Sequence, residues 1–137
     1  MEAALPAVAL DHVGLAVQAI VASPLARALG VEDAASIAMP SGVAIARVGP
    51  GRQLELVQPA KEGSPIERFL ERRGPGLHHV AFRVDVPLPE VIERLREAGI
   101  ETVGGIEASS DGRPSVFLHP SGTGGVLVEL VEGAPPT

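Results

Sequence analysis

The chain has 137 residues, a formal net charge of −6, no cysteine, and three Phe with no Trp or Tyr. That length suits one compact domain with a full core, while the acidic balance and the lack of stacking rings argue against nucleic acid, whose phosphates are met mainly by Lys and Arg. Without thiols there are no disulfides, no thiolate nucleophiles and no thiolate ligands, so imidazole and carboxylate are left as the groups able to hold a metal. No apolar run reaches the roughly 18 residues of a membrane-spanning helix. The start, Met1-Glu2-Ala3-Ala4, carries an acid where a secretory leader carries bases, so a cytoplasmic protein with no membrane attachment is expected.

In chain order, residues 8–17 alternate as a strand, with Asp11, Val13, Leu15 and Val17 on one face and His12, Gly14 and Ala16 on the other. An Ala-rich stretch, 18–30, predicts a short, poor helix interrupted at Ser23-Pro24, where Pro24 also suits a helix start, and closed by Gly30. Strands are expected at 33–39, 42–48 and 53–58, the last two joined by the turn Gly49-Pro50-Gly51-Arg52. Ser64-Pro65-Ile66-Glu67 is a capping-box signature with Pro at the first helical position, opening a helix that ends at Gly74. The second half repeats the plan. It has a strand at 77–84, a helix from about Pro89 to Ala98 ended by Gly99, and strands near 100–107, 113–119 and 126–132, with a frayed tail from Gly133.

The repeat extends to individual residues. Gly76-Leu77-His78-His79-Val80-Ala81-Phe82-Arg83-Val84 echoes Leu10-Asp11-His12-Val13-Gly14-Leu15-Ala16-Val17, and Val128-Glu129-Leu130-Val131 echoes Leu54-Glu55-Leu56-Val57. Each glutamate follows its histidine at a similar distance, 43 residues (12 to 55) and 50 residues (79 to 129). One βαβββ-like unit used twice is the economical reading. His12 and His79 are each followed, two residues on and on their own face, by Gly14 or Ala81, which leaves room beside them. Taken singly, either histidine has the ordinary reading of a structural or surface residue, and Glu129 that of a side chain alternating onto a wet sheet face. Taken together, two imidazoles and two carboxylates in equivalent places form a donor set for a divalent first-row metal with positions left open for substrate. His78, on the opposite face, is expected to pack or hydrogen-bond. Arg68, Arg72 and Arg73 fit a solvated helix face or attraction to phosphates. Gly122, Gly124 and Gly125 lack the lysine and the strand-to-helix context of a phosphate loop.

Several blocks resemble the methylmalonyl-CoA epimerase family of the vicinal oxygen chelate (glyoxalase/bleomycin resistance/dioxygenase) superfamily. They are Leu10 to Val17, Leu54-Glu55-Leu56-Val57-Gln58-Pro59, Ser64-Pro65-Ile66 with Phe69-Leu70, Gly76-Leu77-His78-His79-Val80-Ala81-Phe82, and Phe117-Leu118-His119-Pro120 leading into Gly124-Gly125-Val126-Leu127-Val128-Glu129-Leu130. The resemblance spans nearly the whole chain. It implies an α+β fold in which two βαβββ modules, about 8–59 and 77–132, are joined by a linking helix at about 64–74. The modules would form a cupped eight-strand mixed sheet with helices on its outer face, in one domain. It implies a homodimer that epimerises methylmalonyl-CoA or a similar acyl-CoA, with one divalent metal (Co, Mn, Ni, Zn or Fe) held by His12, Glu55, His79 and Glu129, and with Glu129 as acid/base. It also makes His119 a pocket-side residue. The family's second acid/base glutamate lies in a segment similar to Pro-Glu-Gln-Gly-Val, which here reads Met39-Pro40-Ser41-Gly42-Val43, so Pro40 stands in its place; Glu32 and Asp33 lie upstream. Relatives commonly carry Lys where this chain has Ser121. A glyoxalase-like isomerase or lyase, in which one glutamate alone moves the proton, tolerates Pro40. So does a non-catalytic member that only binds a small ligand.

Overall fold

The computed structural model describes residues 5, 8–21, 23–30 and 36–134. Its strands are β1 (Val8–Ala16), β2 (Ile37–Ala38), β3 (Val43–Val48), β4 (Leu54–Pro59), β5 (Gly76–Val84), β6 (Thr102–Ala108), β7 (Pro114–Leu118) and β8 (Val128–Glu132). Its α-helices are α1 (Pro24–Ala28), α2 (Pro65–Arg73) and α3 (Leu88–Glu97), and single 3₁₀ turns follow β3 and β7. The chain divides into two compact units, His12–His78, and Met1–Asp11 with His79–Thr137.

In the first unit the strands run in the order β2-β3-β4-β1. The β1–β4 pair is parallel, whereas β2–β3 and β3–β4 are antiparallel. The second unit has the order β5-β8-β7-β6, again with its first pair parallel and the other two antiparallel. The predicted repeat is therefore a repeat of topology. A parallel pair needs a long crossover, and in each unit the crossover carries a helix and a hairpin.

Packing follows the two periodicities. In α3, Leu88, Val91 and Leu95 fall at i, i+3 and i+7 and bury against Val84, Val116, Leu118 and Leu130 on one face of the second sheet. Each such side chain contributes about 1.5–3 kcal/mol when fully buried. In the first unit, Val17, Ile20, Ala26, Ala46, Val48 and Leu56 form one core, while Ile66 and Leu70 of α2 pack with Ala16 and Val57 in another. Alternation along β1 and β4 divides Leu15 and Leu56 from Ala16 and Val57, leaving His12 and Glu55 in phase with the latter pair.

Two expected elements are shorter than the sequence suggests. The helix at 18–30 is only Pro24–Ala28, because Pro24 has no N–H to donate inside a helix and takes the first position, with the Ser23 hydroxyl accepting from the Ala26 N–H at 3.4 Å. The strand expected over 33–39 is Ile37–Ala38, with 33–35 outside the described residues. Glu32, Met1 to Ala4 and the last three residues of the tail also lie outside them. The serine half of the capping box forms: the Ser64 hydroxyl accepts from the Glu67 N–H at 3.3 Å, while the Glu67 carboxylate accepts from the Gly63 N–H at 3.3 Å instead of from Ser64, and Gly74 ends α2 at φ 73°. Among the described residues no helix is long and apolar enough to cross a membrane.

A buried ionic clamp holds the second unit together. Arg113 donates to both oxygens of Asp11, 102 residues away in sequence, at 2.7 and 3.0 Å. It also donates to Asp111 and to the Gly133 carbonyl. The start of β1, the turn before β7 and the end of β8 thus meet on one guanidinium. Burial raises the cost of ionising Asp111, but the hydrogen bonds from Arg113 and Ser109 outweigh it and hold its pKa down at about 2. The Arg113 guanidinium loses hydration by burial and is nevertheless held more firmly protonated by Asp11 and Asp111.

Candidate metal and acid/base site

In the first unit the site is built across three adjacent strands. Gly14 of β1 pairs with Glu55 of β4, and His12, two residues earlier on the same face, reaches the carboxylate with Nε2 3.3 Å from Oε2. On the other side Arg47 of β3 stands directly across from Glu55 in the antiparallel register. Its Nη1 lies 3.6 Å from the same oxygen, and its Nε donates to the Arg52 carbonyl at 2.8 Å. That carbonyl belongs to a turn in which Arg52 adopts φ 53°. All three side chains are nearly sealed from solvent: His12 keeps 1%, Arg47 4% and Glu55 6% of side-chain exposure.

The second unit repeats this construction with one change. Ala81 of β5 pairs with Glu129 of β8, and His79, again two residues earlier, brings Nε2 to 3.5 Å from Glu129 Oε1. Across from Glu129 stands Phe117 of β7, whose ring meets His79 edge-on at 5.8 Å between centroids. The small residue two places after each histidine, read in the sequence as room beside it, is thus the residue that pairs with the glutamate strand.

Each predicted histidine therefore meets its own predicted glutamate inside a buried sheet face, where a carboxylate is costly unless matched by a cation or hydrogen-bond donors. In each unit an imidazole beside a carboxylate, with no thiolate, is a donor pair that suits a divalent first-row ion. The donor chemistry fits the metal that the resemblance implies.

The remaining candidates take other roles. His78 packs edge-on against Phe69 at 5.0 Å, as strand alternation predicts. His119 is exposed and caps the turn after β7, its Nδ1 accepting from the Ser121 N–H at 3.1 Å. The Pro after it fixes the chain for that turn. Arg68 donates to the Gly63 carbonyl at 2.8 Å, and Arg73 lies over the Phe69 ring. Pro40 is exposed in the turn before β3, closed by the Gly42 N–H donating to the Met39 carbonyl at 3.0 Å. A cavity of about 340 Å³ in the second unit, lined by Val8, Arg83 and Asp85 among others, includes none of the predicted ligands.

Sequence reasoning passed over Arg47 and Phe117. Arg47 is in phase with Val43 and Ile45, and that lone charge on an apolar strand face was the available signal. Counting outward from the hairpin turn places it opposite Glu55.

Residues 11–117 match the model of the Glyoxalase/Bleomycin resistance protein/Dioxygenase superfamily. An ethylmalonyl-CoA/methylmalonyl-CoA epimerase of Cereibacter sphaeroides is 38% identical over 128 residues, covering 88% of this chain and 95% of that protein. Among solved structures, a hypothetical protein of Bacillus halodurans superposes with a TM-score of 0.81 at 33% identity, covering 96% of this chain and 98% of the other. The methylmalonyl-CoA epimerase of Mycobacterium tuberculosis superposes with a TM-score of 0.74 at 36% identity, covering 92% and 88%. The mixed eight-strand fold expected from the resemblance is the fold of these neighbours, and the chain belongs to the methylmalonyl-CoA epimerase family of the vicinal oxygen chelate superfamily.

Proposed function

We propose that the chain is a metal-dependent epimerase of methylmalonyl-CoA or a similar acyl-CoA, working as one domain of two modules. His12, Glu55, His79 and Glu129 are the ligands in this reading, and Glu129 is also the acid/base. The observation that carries it is the matched register: in each unit a small residue of the first strand pairs with a buried glutamate, and the histidine two places earlier touches that glutamate. The family relationship to proteins named as epimerases supports the same reading. A homodimer in the cytoplasm, binding neither nucleic acid nor membrane, goes with it.

The hydrogen to be moved lies on a carbon between a thioester carbonyl and a carboxylate. A bound divalent ion would supply positive charge to stabilise the electron density left when that proton departs. His12 and His79 would offer ring nitrogens to the ion in fixed orientation, because each ring is buried in a strand and contacts a carboxylate. Glu129 takes the proton from carbon. Phe117 stands opposite it in the β7–β8 register, with its ring edge-on to His79. Inversion needs a proton returned to the opposite face. Pro40 cannot supply it, so water or another group must. That turn also favours a second reading, a glyoxalase-like isomerisation in which Glu129 moves the proton out and back alone.

Methylmalonyl-CoA incubated with the protein in deuterated water separates these readings. Deuterium uptake at the methyl-bearing carbon with inversion is expected. Uptake without inversion would favour the single-base isomerase, and inertness with firm metal binding would leave a ligand-binding role.

A further inference from the structure

Each unit carries a second matched contact, on the sheet face opposite its histidine–glutamate pair. Three residues after Glu55, Gln58 turns its side chain to the other face of β4, and its Oε1 accepts from the Ile20 N–H at 2.6 Å. Three residues after Glu129, Glu132 does the same from β8, its Oε1 accepting from the Leu88 N–H at 2.7 Å. Both donors stand four residues past the end of the histidine strand, Ala16 to Ile20 and Val84 to Leu88. Both belong to buried side chains that share a core with the residue two before the acceptor, Ile20 with Leu56 and Leu88 with Leu130. Pro87, at the N-cap of α3, has no side chain able to cap, so Glu132 supplies the acceptor for the first N–H of that helix.

In each unit the parallel pair is what brings the histidine to its glutamate, and that ladder is short. Its registered partners run from Val13 opposite Leu54 to Ala16 opposite Val57 in the first unit, and from Val80 opposite Val128 to Val84 opposite Glu132 in the second. Each histidine thus lies one residue before the first registered pair. Parallel bonds are slanted and slightly weaker per residue than antiparallel ones, and a slip of one residue would carry the glutamate to the other face. A bond from the glutamate strand to the exit of the histidine strand opposes that slip, because a shift of about 3.3 Å takes the acceptor out of hydrogen-bond range. We propose that Gln58 and Glu132 are positioning residues: each ties the far end of its parallel pair and so holds the register in which His12 meets Glu55 and His79 meets Glu129. This rests on the proposed function only for the use of those pairs as metal ligands. The acceptors differ as their donors do. Glu132 faces the first turn of α3, where a carboxylate is favoured, whereas Gln58 faces the turn before α1 and is neutral.

Nuclear magnetic resonance of the imidazole nitrogens in the metal-free, full-length protein tests this, since the chain has 4 histidines to resolve. Glu132→Leu should shift or broaden the His79 signals and leave those of His12 near their native positions, and Gln58→Leu should do the reverse. Glu132→Gln and Gln58→Glu keep an Oε acceptor and should restore the native signals, a rescue that a packing role would not produce. Should a leucine variant fail to fold by circular dichroism, Glu132→Asp and Gln58→Asn shorten the reach by one methylene and should give the same pattern. Calorimetry with Co²⁺ alone should then show an affinity about tenfold weaker in either leucine variant, the usual size for loss of a group that orients a ligand. Native His79 signals in folded Glu132→Leu, equal changes at both histidines in each variant, or no recovery in Glu132→Gln would overturn the proposal. Native Co²⁺ affinity in both leucine variants would overturn it as well. Native protein that binds no Co²⁺ would remove the metal reading of the proposed function, and the histidine signals would still decide whether the two residues hold the register.

Discussion

The two units place a histidine and a glutamate by the same backbone registers and then differ in what stands across from the glutamate. In the first it is Arg47, in the second Phe117. A guanidinium can neutralise a carboxylate and hold it in one direction; a ring can do neither. Duplicated topology thus supplies two equivalent histidine–glutamate pairs, and the residue opposite the glutamate on the neighbouring strand differs between them. In the proposed function Glu55 would serve as a fixed ligand braced by Arg47, and Glu129 as the acid/base.

The largest effect that could break this comparison is on proton exchange. Glu129→Gln should lower deuterium incorporation into methylmalonyl-CoA by about 10²–10⁴-fold, the usual contribution of a general acid/base group. Glu55→Gln should lower it by no more than about tenfold at equal metal occupancy, since a carboxamide oxygen can still ligate. Comparable losses in the two variants would mean that the units share the proton transfer, and the contrast between Arg47 and Phe117 would lose its meaning.

Stability offers the next test, because the second unit has an ionic clamp of its own far from its glutamate. Arg113→Met leaves Asp11, with 1% exposure, without its bidentate partner. Breaking a buried pair by removing one member costs about 3–5 kcal/mol. Denaturant unfolding should show a loss of that size for Arg113→Met. It should show a clearly smaller one for Arg47→Met, whose partner Glu55 retains His12. Equal losses would make Arg47 a structural clamp as well.

Which of these features could be read in advance follows from their range along the chain. The histidines, the glutamates and the gaps beside them were legible because strand alternation is a local rule and the repeat doubled each signal. The helix at α2 was legible because Ser64 and Pro65 mark its start within four residues. The shortness of α1 followed from Pro24, whose signal was present but competed with an Ala-rich stretch. The Arg47–Glu55 pair needed the hairpin register as well as the alternation. The Asp11–Arg113 clamp joins residues 102 positions apart and has no local signature at all.

A gain of function should be smaller than these losses. If the proton is returned by water in the native chain, Pro40→Glu should raise the rate of inversion, measured as racemisation of single-isomer methylmalonyl-CoA at fixed metal loading. The exposed turn at Met39–Gly42 keeps its hydrogen bond between Gly42 and Met39 without needing proline. No change in rate would mean that another residue already returns the proton.

The smallest expected effect compares the turns that lead into the equivalent strands β3 and β7. Both close with the same hydrogen bond, Gly42 N–H to Met39 and Gly112 N–H to Ser109, each at 3.0 Å, and both use glycine at positive φ, 87° and 90°. The first turn is stiffened by Pro40 and has no ionisable group within it, whereas the second contains Asp111, locked to Arg113 and Ser109. Asp111 has its pKa lowered from 3.8 to about 2, so the folded state binds its proton less readily than the unfolded state does. A depressed carboxylate contributes stability that is fully present above the unfolded value and is lost as pH falls through the folded one. The contribution should therefore persist at neutral pH and disappear between about pH 4 and pH 2. Asp111→Asn should be less stable than the native protein at pH 7, and its stability should fall less steeply over that acid window. Parallel acid-unfolding curves for the two proteins would show that the ionic lock on the second turn adds nothing that the proline of the first does not.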